Sequence, residues 1–228
     1  MSDFAAHSEK LGLSFKNLDH LVEALTHRSY LNENRATSSS HNERLEFLGD
    51  AVLELIVTHF LFVRFPNKPE GDLTAYRAAL VNTYSLAETA ESLGINDMLL
   101  LSKGEKKDTG RARQIILANA FEAILGAIYL DQGYEAAEAF VTTNLTPKID
   151  SVLKNRTWQD AKSNFQEVAQ EKKSVTPTYK TVEETGPDHD KQFTVAVYLA
   201  DEEVARGSGK SKQEAEQAAA AAALDKVQ

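Results

Sequence analysis

The sequence predicts an all-helical domain followed by a smaller α+β domain with the element order αβββα. From residue 17 to about residue 153, apolar residues recur at spacings of three and four, which is typical of amphipathic helices. Beyond this region two segments, TYKTVEET and QFTVAVYLA, alternate apolar and polar residues as strands do, with a helical segment before and after the strand region. We therefore expect a helical domain at residues 1–153, a linker at 154–158 and the second domain at 159–228.

The helical domain contains five segments with the helical pattern. The breaks between them fall where turn-forming residues and charge gather, at FPNKPEGD and KGEKKDTG. The segments are LDHLVEALTH, RLEFLGDAVLELIVTHFLFVRF, LTAYRAALVNTYSLAETAESLG, ARQIILANAFEAILGAIYLDQG and YEAAEAFVTTNLTPKIDSVL.

The second domain begins with the helical segment AKSNFQEVAQEKK. Two strands follow, joined by the loop GPDHDK, then EEVARGSG as a third short strand and SKQEAEQAAAAAALDKV as the final helix. In that helix Ser211 and Glu214 form a capping-box pattern, so the helix is expected to begin at Ser211.

Composition narrows the class of protein. A chain of 228 residues with 42% hydrophobic and 26% charged residues is ordinary for a globular protein. The absence of cysteine excludes disulfides and thiolate metal sites, which leaves carboxylates and histidines as strong metal ligands. The sequence shows neither a secretion signal pattern nor an apolar run of membrane-spanning length. We expect a cytoplasmic protein with no membrane partner and no small-molecule cofactor.

The formal net charge of −9 argues, at face value, against nucleic acid as a partner, because phosphate binding usually shows as a basic excess. A total can mislead, however. Acidic residues gathered for metal ions and basic residues gathered elsewhere for phosphates would give the same sum.

One helix carries an acidic face. At about 100° per residue, Glu43, Glu46 and Asp50 in HNERLEFLGD share one side, while Leu45 and Leu48 lie on the opposite side. A solvated surface would explain this face without any function. Clustering without interleaved lysines is unfavourable, however, since like charges three or four residues apart repel. A divalent-metal site is the alternative.

A second carboxylate lies in an apolar helix. In LANAFEAILGAIYL, Asn119 and Glu122 are three residues apart, and an acid in a buried helix is costly unless it is paired or bound to a metal. A buried glutamate held by arginine or by hydrogen bonds remains the alternative. Glu70 in PEGDLT sits near a helix start, where the helix dipole stabilises an acid without further function.

These motifs resemble bacterial ribonuclease III, a family of double-strand-specific endoribonucleases. The resemblance rests on HNERLEFLGD, ALTHRS, FPNKPEGDLTAYRAALVN and ILANAFEAILGAIYLD, followed by the αβββα module, and it covers nearly the whole chain. It implies an all-α ribonuclease III endonuclease domain and an α+β double-stranded RNA-binding domain. It also implies a homodimer that cleaves double-stranded RNA with Mg²⁺, for which Mn²⁺ is a plausible substitute. The cleaved ends would carry 5′-phosphate and 3′-hydroxyl groups with short 3′ overhangs, and the substrates would be ribosomal RNA precursors and other structured RNAs.

The resemblance implies roles for the acidic residues. Glu46 and Glu122 resemble direct metal ligands, and Asp50 resembles the carboxylate beside them that holds water at the metal. Glu43 and Glu70 resemble acids that line the valley for RNA and assist catalysis.

Two further positions of the catalytic domain bear on the resemblance. Where the family often has aspartate, this chain has Asn119, whose amide oxygen can coordinate a hard cation but lowers the negative charge of the site by one. Phe47 lies beside the carboxylate face of its helix and matches an aromatic that inserts into the partner subunit, so it is expected to be a dimer contact. Packing of Phe47 against a neighbouring loop is the alternative.

RNA contacts are also implied in the second domain. Gln166 and the adjacent Glu167 resemble minor-groove contacts, and His189 resembles the loop residue that enters the next minor groove, although it could be an ordinary loop histidine. Lys210 and Lys212 flank the helix start at Ser211, the electrostatically unfavourable end for a cation, and phosphate binding would explain this placement. These three residues are candidate phosphate contacts, and ordinary surface lysines are the alternative.

Two other functions compete with cleavage. One is a regulator that binds double-stranded RNA without cutting it, which Asn119 favours and the remaining acidic set disfavours. The other is a metal-dependent phosphohydrolase for small nucleotides, which the RNA-binding module disfavours. His20, His27, His41 and His59 show no metal-ligand spacing and are expected to be structural.

Overall fold

The computed structural model divides into two compact units, Met1–Trp158 and Gln159–Gln228. It describes residues 4–34, 40–155, 161–187 and 191–227. The fold class predicted from the sequence, a helical domain followed by an αβββα domain, is confirmed.

The first unit is helical throughout its described residues, apart from a single bridge between Thr26 and Leu100. A short 3₁₀ helix, Glu105–Lys107, precedes the longest apolar helix. The α-helices are Phe4–Lys10 (α1), Leu18–Ala24 (α2), Arg28–Glu33 (α3), Glu43–Arg64 (α4), Glu70–Val81 (α5), Thr83–Ser92 (α6), Ile95–Met98 (α7), Arg111–Gln132 (α8), Tyr134–Asn144 (α9) and Lys148–Asn155 (α10).

Two of the predicted helical segments are interrupted. Asn82 adopts an extended conformation between α5 and α6, and its side-chain oxygen accepts a hydrogen bond from the Ser85 amide, which caps α6. The segment from Tyr134 to Leu153 likewise divides into α9 and α10, with Pro147 directly before α10. The apolar spacing continues across both breaks, so periodicity alone did not reveal them.

The predicted linker at 154–158 begins inside a helix. Helix α10 continues through Asn155 because Ile149, Val152 and Leu153 pack on the core of the first unit. Its placement is fixed further by Asp150, whose carboxylate lies 2.6 Å from the Arg64 guanidinium at the end of α4. Residues 156–158 lie outside the described part of the chain.

Helix α8 forms the centre of the first unit and packs most extensively against α4. In the part of the chain that the structure describes, it is the one helix long and apolar enough to span a bilayer by length and composition. Most of its apolar window is buried inside the unit, with Phe121, Ile124 and Leu125 inaccessible to solvent. Its apolar character is therefore explained by its position in the core.

The second unit has the predicted αβββα order. Helix α11 (Ala161–Lys173) is followed by β1 (Thr178–Thr185), β2 (Gln192–Leu199), β3 (Glu202–Gly209) and α12 (Lys212–Val227). The strands form an antiparallel sheet in the order β1–β2–β3. Both helices cover one face of this sheet around Phe165 and Val197.

Small residues let α12 lie directly on the sheet. A Cβ atom at Gly207 would overlap the backbone of Ala219, and one at Gly209 would lie 2.7 Å from the backbone nitrogen of Ala215. Glycines in the strand and alanines in the helix are therefore required by backbone contact.

Candidate active site

The candidate active site lies where α4 and α8 cross, and two glycines set the distance between these helices. A Cβ atom on Gly49 would overlap the carbonyl oxygen of Glu122 and lie 2.9 Å from the backbone nitrogen of Gly126. A Cβ atom on Gly126 would in turn overlap the carbonyl oxygen of Leu45. The two backbones are therefore in direct contact, which places the residues flanking Gly49 beside Glu122. The sequence analysis missed both glycines; their signal was a glycine within each of two long apolar helices.

This crossing brings together three of the predicted catalytic acids, Glu46, Asp50 and Glu122, which we call the acidic cluster. Burial, followed by the negative charges of Asp50 and Glu46, raises the pKa of Glu122 to about 7. Burial and the charges of Glu43 and Asp50 likewise raise the pKa of Glu46. The carboxylates thus interact electrostatically across the helix pair. Sequence spacing placed only the acids of α4 on one face, and the proximity of Glu122 to them was implied by the family resemblance.

Asn119 also lies in this site. Its side chain hydrogen-bonds to the Glu46 carboxylate, which partly offsets the rise in the pKa of Glu46. An amide that donates to a carboxylate stabilises its charged form. In this arrangement Asn119 supports Glu46 directly, a role that aspartate could not perform while ionised.

The donors of the acidic cluster fit a hard cation. They are oxygen atoms held on two rigid helices, and the raised pKa of Glu122 shows that its negative charge is unfavourable without a positive partner. Among the described residues, no three His, Asp or Glu side chains converge as a preformed metal site. Rotation of the carboxylate side chains about their own bonds would bring their oxygen atoms together, because the backbones of α4 and α8 are already in contact.

Glu43 is placed differently from the other acids of its helix. Its carboxylate accepts a hydrogen bond from Arg28 at 3.1 Å and lies 3.8 Å from the Nδ1 atom of His41. Sequence spacing did not reveal Arg28 as a partner, because it comes from another helix. Glu43 therefore belongs to an ion pair at the edge of the acidic cluster.

Glu70 lies apart from the acidic cluster within one copy of the chain. It begins α5, accepts a hydrogen bond from the Thr74 hydroxyl at 2.8 Å, and lines a cavity of about 410 Å³ with Thr58 and Phe62 of α4. A helix rises about 1.5 Å per residue, so Thr58 lies about 18 Å along α4 from Glu46. The structure thus does not bring Glu70 together with the metal-ligand candidates, and its catalytic role remains a prediction.

Phe47 is 81% exposed, so it does not pack against a neighbouring loop within the described chain. It borders a cavity of about 600 Å³ that His20, Leu48 and Leu130 also line. Four more exposed residues continue from it along the same side of α4 (Ala51, Leu55, Thr58 and Phe62). We call these five residues the outer stripe of α4; the sequence analysis recognised only Phe47.

The described RNA-contact candidates of the second unit lie on α11 and at the start of α12. Gln166 and Glu167 are exposed on α11. Ser211 Oγ accepts a hydrogen bond from the Glu214 amide at 3.2 Å, and the Glu214 carboxylate accepts one from the Lys210 amide at 2.8 Å. The predicted capping box is therefore present in a variant form, with the first helical residue at 212 instead of 211.

The two lysines are exposed beside this helix start, and the Nζ atom of Lys212 lies 5.7 Å from the centre of the Phe193 ring. This contact places the Lys212 cation beside the aromatic ring at the start of β2. His189, the predicted loop contact, lies outside the described residues.

Comparison with known proteins agrees with this architecture. Residues 18–149 match the family model described as Ribonuclease-III-like, and residues 161–227 match the double-stranded RNA binding motif. The chain is 46% identical to Ribonuclease 3 of Protochlamydia amoebophila, over 96% of this chain and 90% of that protein. It is 47% identical to Ribonuclease 3 of Desulforamulus reducens, over 92% of this chain and 86% of that protein.

Among solved structures, the nuclease domain of ribonuclease III from Campylobacter jejuni is similar to this chain, with a TM-score of 0.56 and 42% identity. The match covers 62% of this chain and 94% of that domain, which is described as structurally flexible in a region involved in dimer formation. Three observations point to the same family. The helical domain carries an acidic cluster at one helix crossing, an RNA-binding module follows it, and the relatives are matched over nearly their full length. The chain belongs to the ribonuclease III family and is an endoribonuclease that acts on double-stranded RNA.

Proposed function

We propose that the acidic cluster holds Mg²⁺ and hydrolyses the phosphodiester bonds of double-stranded RNA. The observation that carries this proposal is the close crossing of α4 and α8, which sets Glu46 and Asp50 beside Glu122. Oxygen donors of this kind suit Mg²⁺, and Mn²⁺ would serve as a substitute.

Each residue of the site has a distinct task. Glu46 and Glu122, the more buried carboxylates, would hold the cation, with Asn119 keeping Glu46 charged and oriented. Asp50 is exposed and would orient the attacking water toward phosphorus. A bound divalent cation would neutralise charge on the phosphoryl oxygens and would activate water. Hydrolysis in which the 3′ oxygen leaves would give 5′-phosphate and 3′-hydroxyl ends.

We further propose that the active form is a homodimer. The outer stripe of α4 supports this, because Phe47 and Phe62 lie near its two ends, about 22 Å apart along the helix. An antiparallel pairing of two such helices about a twofold axis would set Phe47 of each copy near Phe62 of the other. Two sites in one dimer, one for each RNA strand, would leave short 3′ overhangs.

The proposed substrates are ribosomal RNA precursors and structured regions of messages in the cytoplasm. An RNA-binding module of this type reads the A-form shape and the ribose hydroxyls of about 16 base pairs, with little dependence on sequence. Long imperfect stems of cellular transcripts offer that shape, which supports this class of substrate.

Cleavage of a long duplex RNA by the purified protein tests the proposal. The reaction is run with Mg²⁺, with Mn²⁺ and with EDTA, and both ends of each product are sequenced. We expect cutting only with the cations, 5′-phosphate ends and paired cuts that leave short 3′ overhangs. Cutting in EDTA would contradict the metal assignment, and tight binding without cutting would favour the regulator that binds without cleaving.

A further inference from the structure

The start of α4 is held by an unusual use of an asparagine. Asn42 occupies the N-cap position, where an asparagine side chain usually accepts a hydrogen bond from the first turn of its own helix. Here the side-chain amide instead donates to the carbonyl oxygen of Ala24 at 3.3 Å, and the backbone N–H donates to the carbonyl oxygen of Thr26 at 3.0 Å. Asn42 is 2% exposed, so these bonds are shielded from water.

The same neighbouring segment also contacts the first acid of α4. Residues 24–28, which we call the positioning turn, end at Arg28, whose guanidinium donates to Glu43 at 3.1 Å. Because Arg28 is 67% exposed, this ion pair contributes little to the free energy of folding. The ion pair instead orients the Glu43 side chain, because it holds the carboxylate toward the positioning turn.

The positioning turn is itself tied to a third segment of the chain. Leu100 donates its backbone N–H to Leu25 at 2.9 Å, and His27 donates its own to Leu100 at 3.1 Å. The Ser102 amide donates to the hydroxyl of Ser29 at 3.1 Å, just beyond the turn. These bonds make the turn a fixed support against which the beginning of α4 rests.

We propose that Asn42 is a positioning residue for catalysis, and this inference rests on the proposed function of the acidic cluster. The Glu46 amide donates to the carbonyl oxygen of Asn42 at 2.9 Å, so the placement of Asn42 determines where the first turn of α4 carries Glu43 and Glu46. Asn42 thereby couples the positioning turn to a proposed metal ligand. A displacement of about 1 Å at a reacting group can lower a rate by about 100-fold.

Asn42→Ser tests this role, because serine removes the bond to Ala24 but can cap α4 in the ordinary way. We expect kcat on duplex RNA to fall about tenfold, by partial displacement of the acids, while KM stays within about twofold. The Mg²⁺ concentration that half-saturates the thermal stabilisation of the protein should rise, and the melting temperature in EDTA should stay close to that of the unsubstituted protein. An unchanged kcat in the folded variant, or a lower melting temperature with an unchanged Mg²⁺ midpoint, would overturn the inference.

Two companion variants complete the design. Asn144→Ser removes a matched bond, since the Asn144 amide donates to the carbonyl oxygen of Phe140 at 2.8 Å at the end of α9, and it should leave kcat unchanged. Arg28→Gln is an exposed change that keeps the fold and should lower kcat severalfold through Glu43. If Asn42→Ser failed to fold, an unchanged kcat in Arg28→Gln would overturn the inference.

The outcome is separable from that of the proposed function. If the unsubstituted protein does not cleave duplex RNA with Mg²⁺, the proposed function fails before any variant is compared. If it cleaves and the Asn42 and Arg28 variants behave like it, the inference about positioning fails and the proposed function stands.

Discussion

Glu122 is the residue whose environment departs furthest from that of an ordinary carboxylate at this site. Burial and two neighbouring acids raise its pKa to about 7, whereas an unfolded chain would give it a value of 4.5. Between these two pH values the folded protein retains a proton that the unfolded chain has lost. The metal-free protein is therefore destabilised by Glu122 as pH rises through this window, and the penalty persists above it.

Glu122→Gln should therefore stabilise the metal-free protein while abolishing cleavage. At pH 8 in EDTA we expect a gain in the free energy of unfolding of roughly 1–3 kcal/mol, since one pKa unit corresponds to about 1.4 kcal/mol. The gain should disappear near pH 4, where glutamate is protonated in both states. Chemical denaturation at the two pH values measures this difference, and duplex binding should be nearly unchanged. A variant that lost binding together with cleavage would show that Glu122 supports the fold instead.

Asn119 gives a second prediction at the residue scale. Asn119→Asp removes the amide that supports Glu46 and adds a charge to the acidic cluster, so the metal-free protein should lose stability and bind divalent cations more strongly. We expect the Mg²⁺ concentration for half-maximal cleavage to fall. Calorimetric titration of Mg²⁺ in the absence of RNA provides a readout that does not depend on activity. Identical metal affinity in both proteins would make Asn119 a bystander.

Two helices in backbone contact form the element on which the site depends. Gly49→Ala should force α4 and α8 apart, because the added Cβ would overlap the carbonyl oxygen of Glu122. Overpacking of this kind typically costs about 1–3 kcal/mol. Thermal unfolding would show the loss, and cleavage should fall further than the folded fraction does. Gly71→Ala is the matched control, since its Cβ would meet open space on α5; equal effects at the two sites would refute the role of close contact.

The start of α12 carries the prediction for RNA binding. Replacing Lys210 and Lys212 together by glutamine should weaken duplex binding. The slope of log Kd against log salt concentration should fall by about 1 to 2, which corresponds to the loss of one or two phosphate contacts. Lys173→Gln, at the end of α11 on the same unit, removes one positive charge away from this helix start and serves as the control. Filter binding at several salt concentrations measures both slopes. An unchanged slope in the double variant would remove these lysines from the interface.

At the scale of the whole molecule, acidic residues outnumber basic residues even in the part of the chain that binds RNA. From Arg156 onward the chain has ten Lys and Arg against thirteen Asp and Glu, so even the RNA-binding part is acidic overall. Binding of a polyanion must then rest on local groupings such as the α12 start, and it should be sensitive to salt. The net charge of −9 was therefore a poor guide to the partner.

Assembly is the other property of the whole molecule. Leu55→Glu places a charge in the middle of the outer stripe of α4 and should convert the proposed dimer to monomer, since a charge buried at an apolar interface is strongly unfavourable. Val63→Glu lies on the same helix, is also exposed, and falls off the stripe, so it should leave assembly intact. Sedimentation velocity distinguishes the two. A Leu55→Glu variant that sediments like the unsubstituted protein would exclude this surface as the interface.

The sequence by itself determined what depends on local pattern. Period-two alternation located β1 with its observed bounds and β2 to within one residue, and the three-and-four spacing put Glu43, Glu46 and Asp50 on one face with Leu45 opposite. These features follow from burial of one face of an element, which each segment encodes in its own residues. Recognition of the family from its motifs was likewise possible without the structure.

The tertiary structure alone decided what depends on contacts between distant segments. The backbone contact at Gly49, the pairing of Arg28 with Glu43, the separation of Glu70 from the acidic cluster and the bond from Asn42 to Ala24 each join residues of different helices or turns. A periodic pattern indicates which side of a helix is buried. It does not indicate which other helix packs on that side, or at which residues the two helices cross. Close packing of the folded core supplies that information, and with it the geometry of the site.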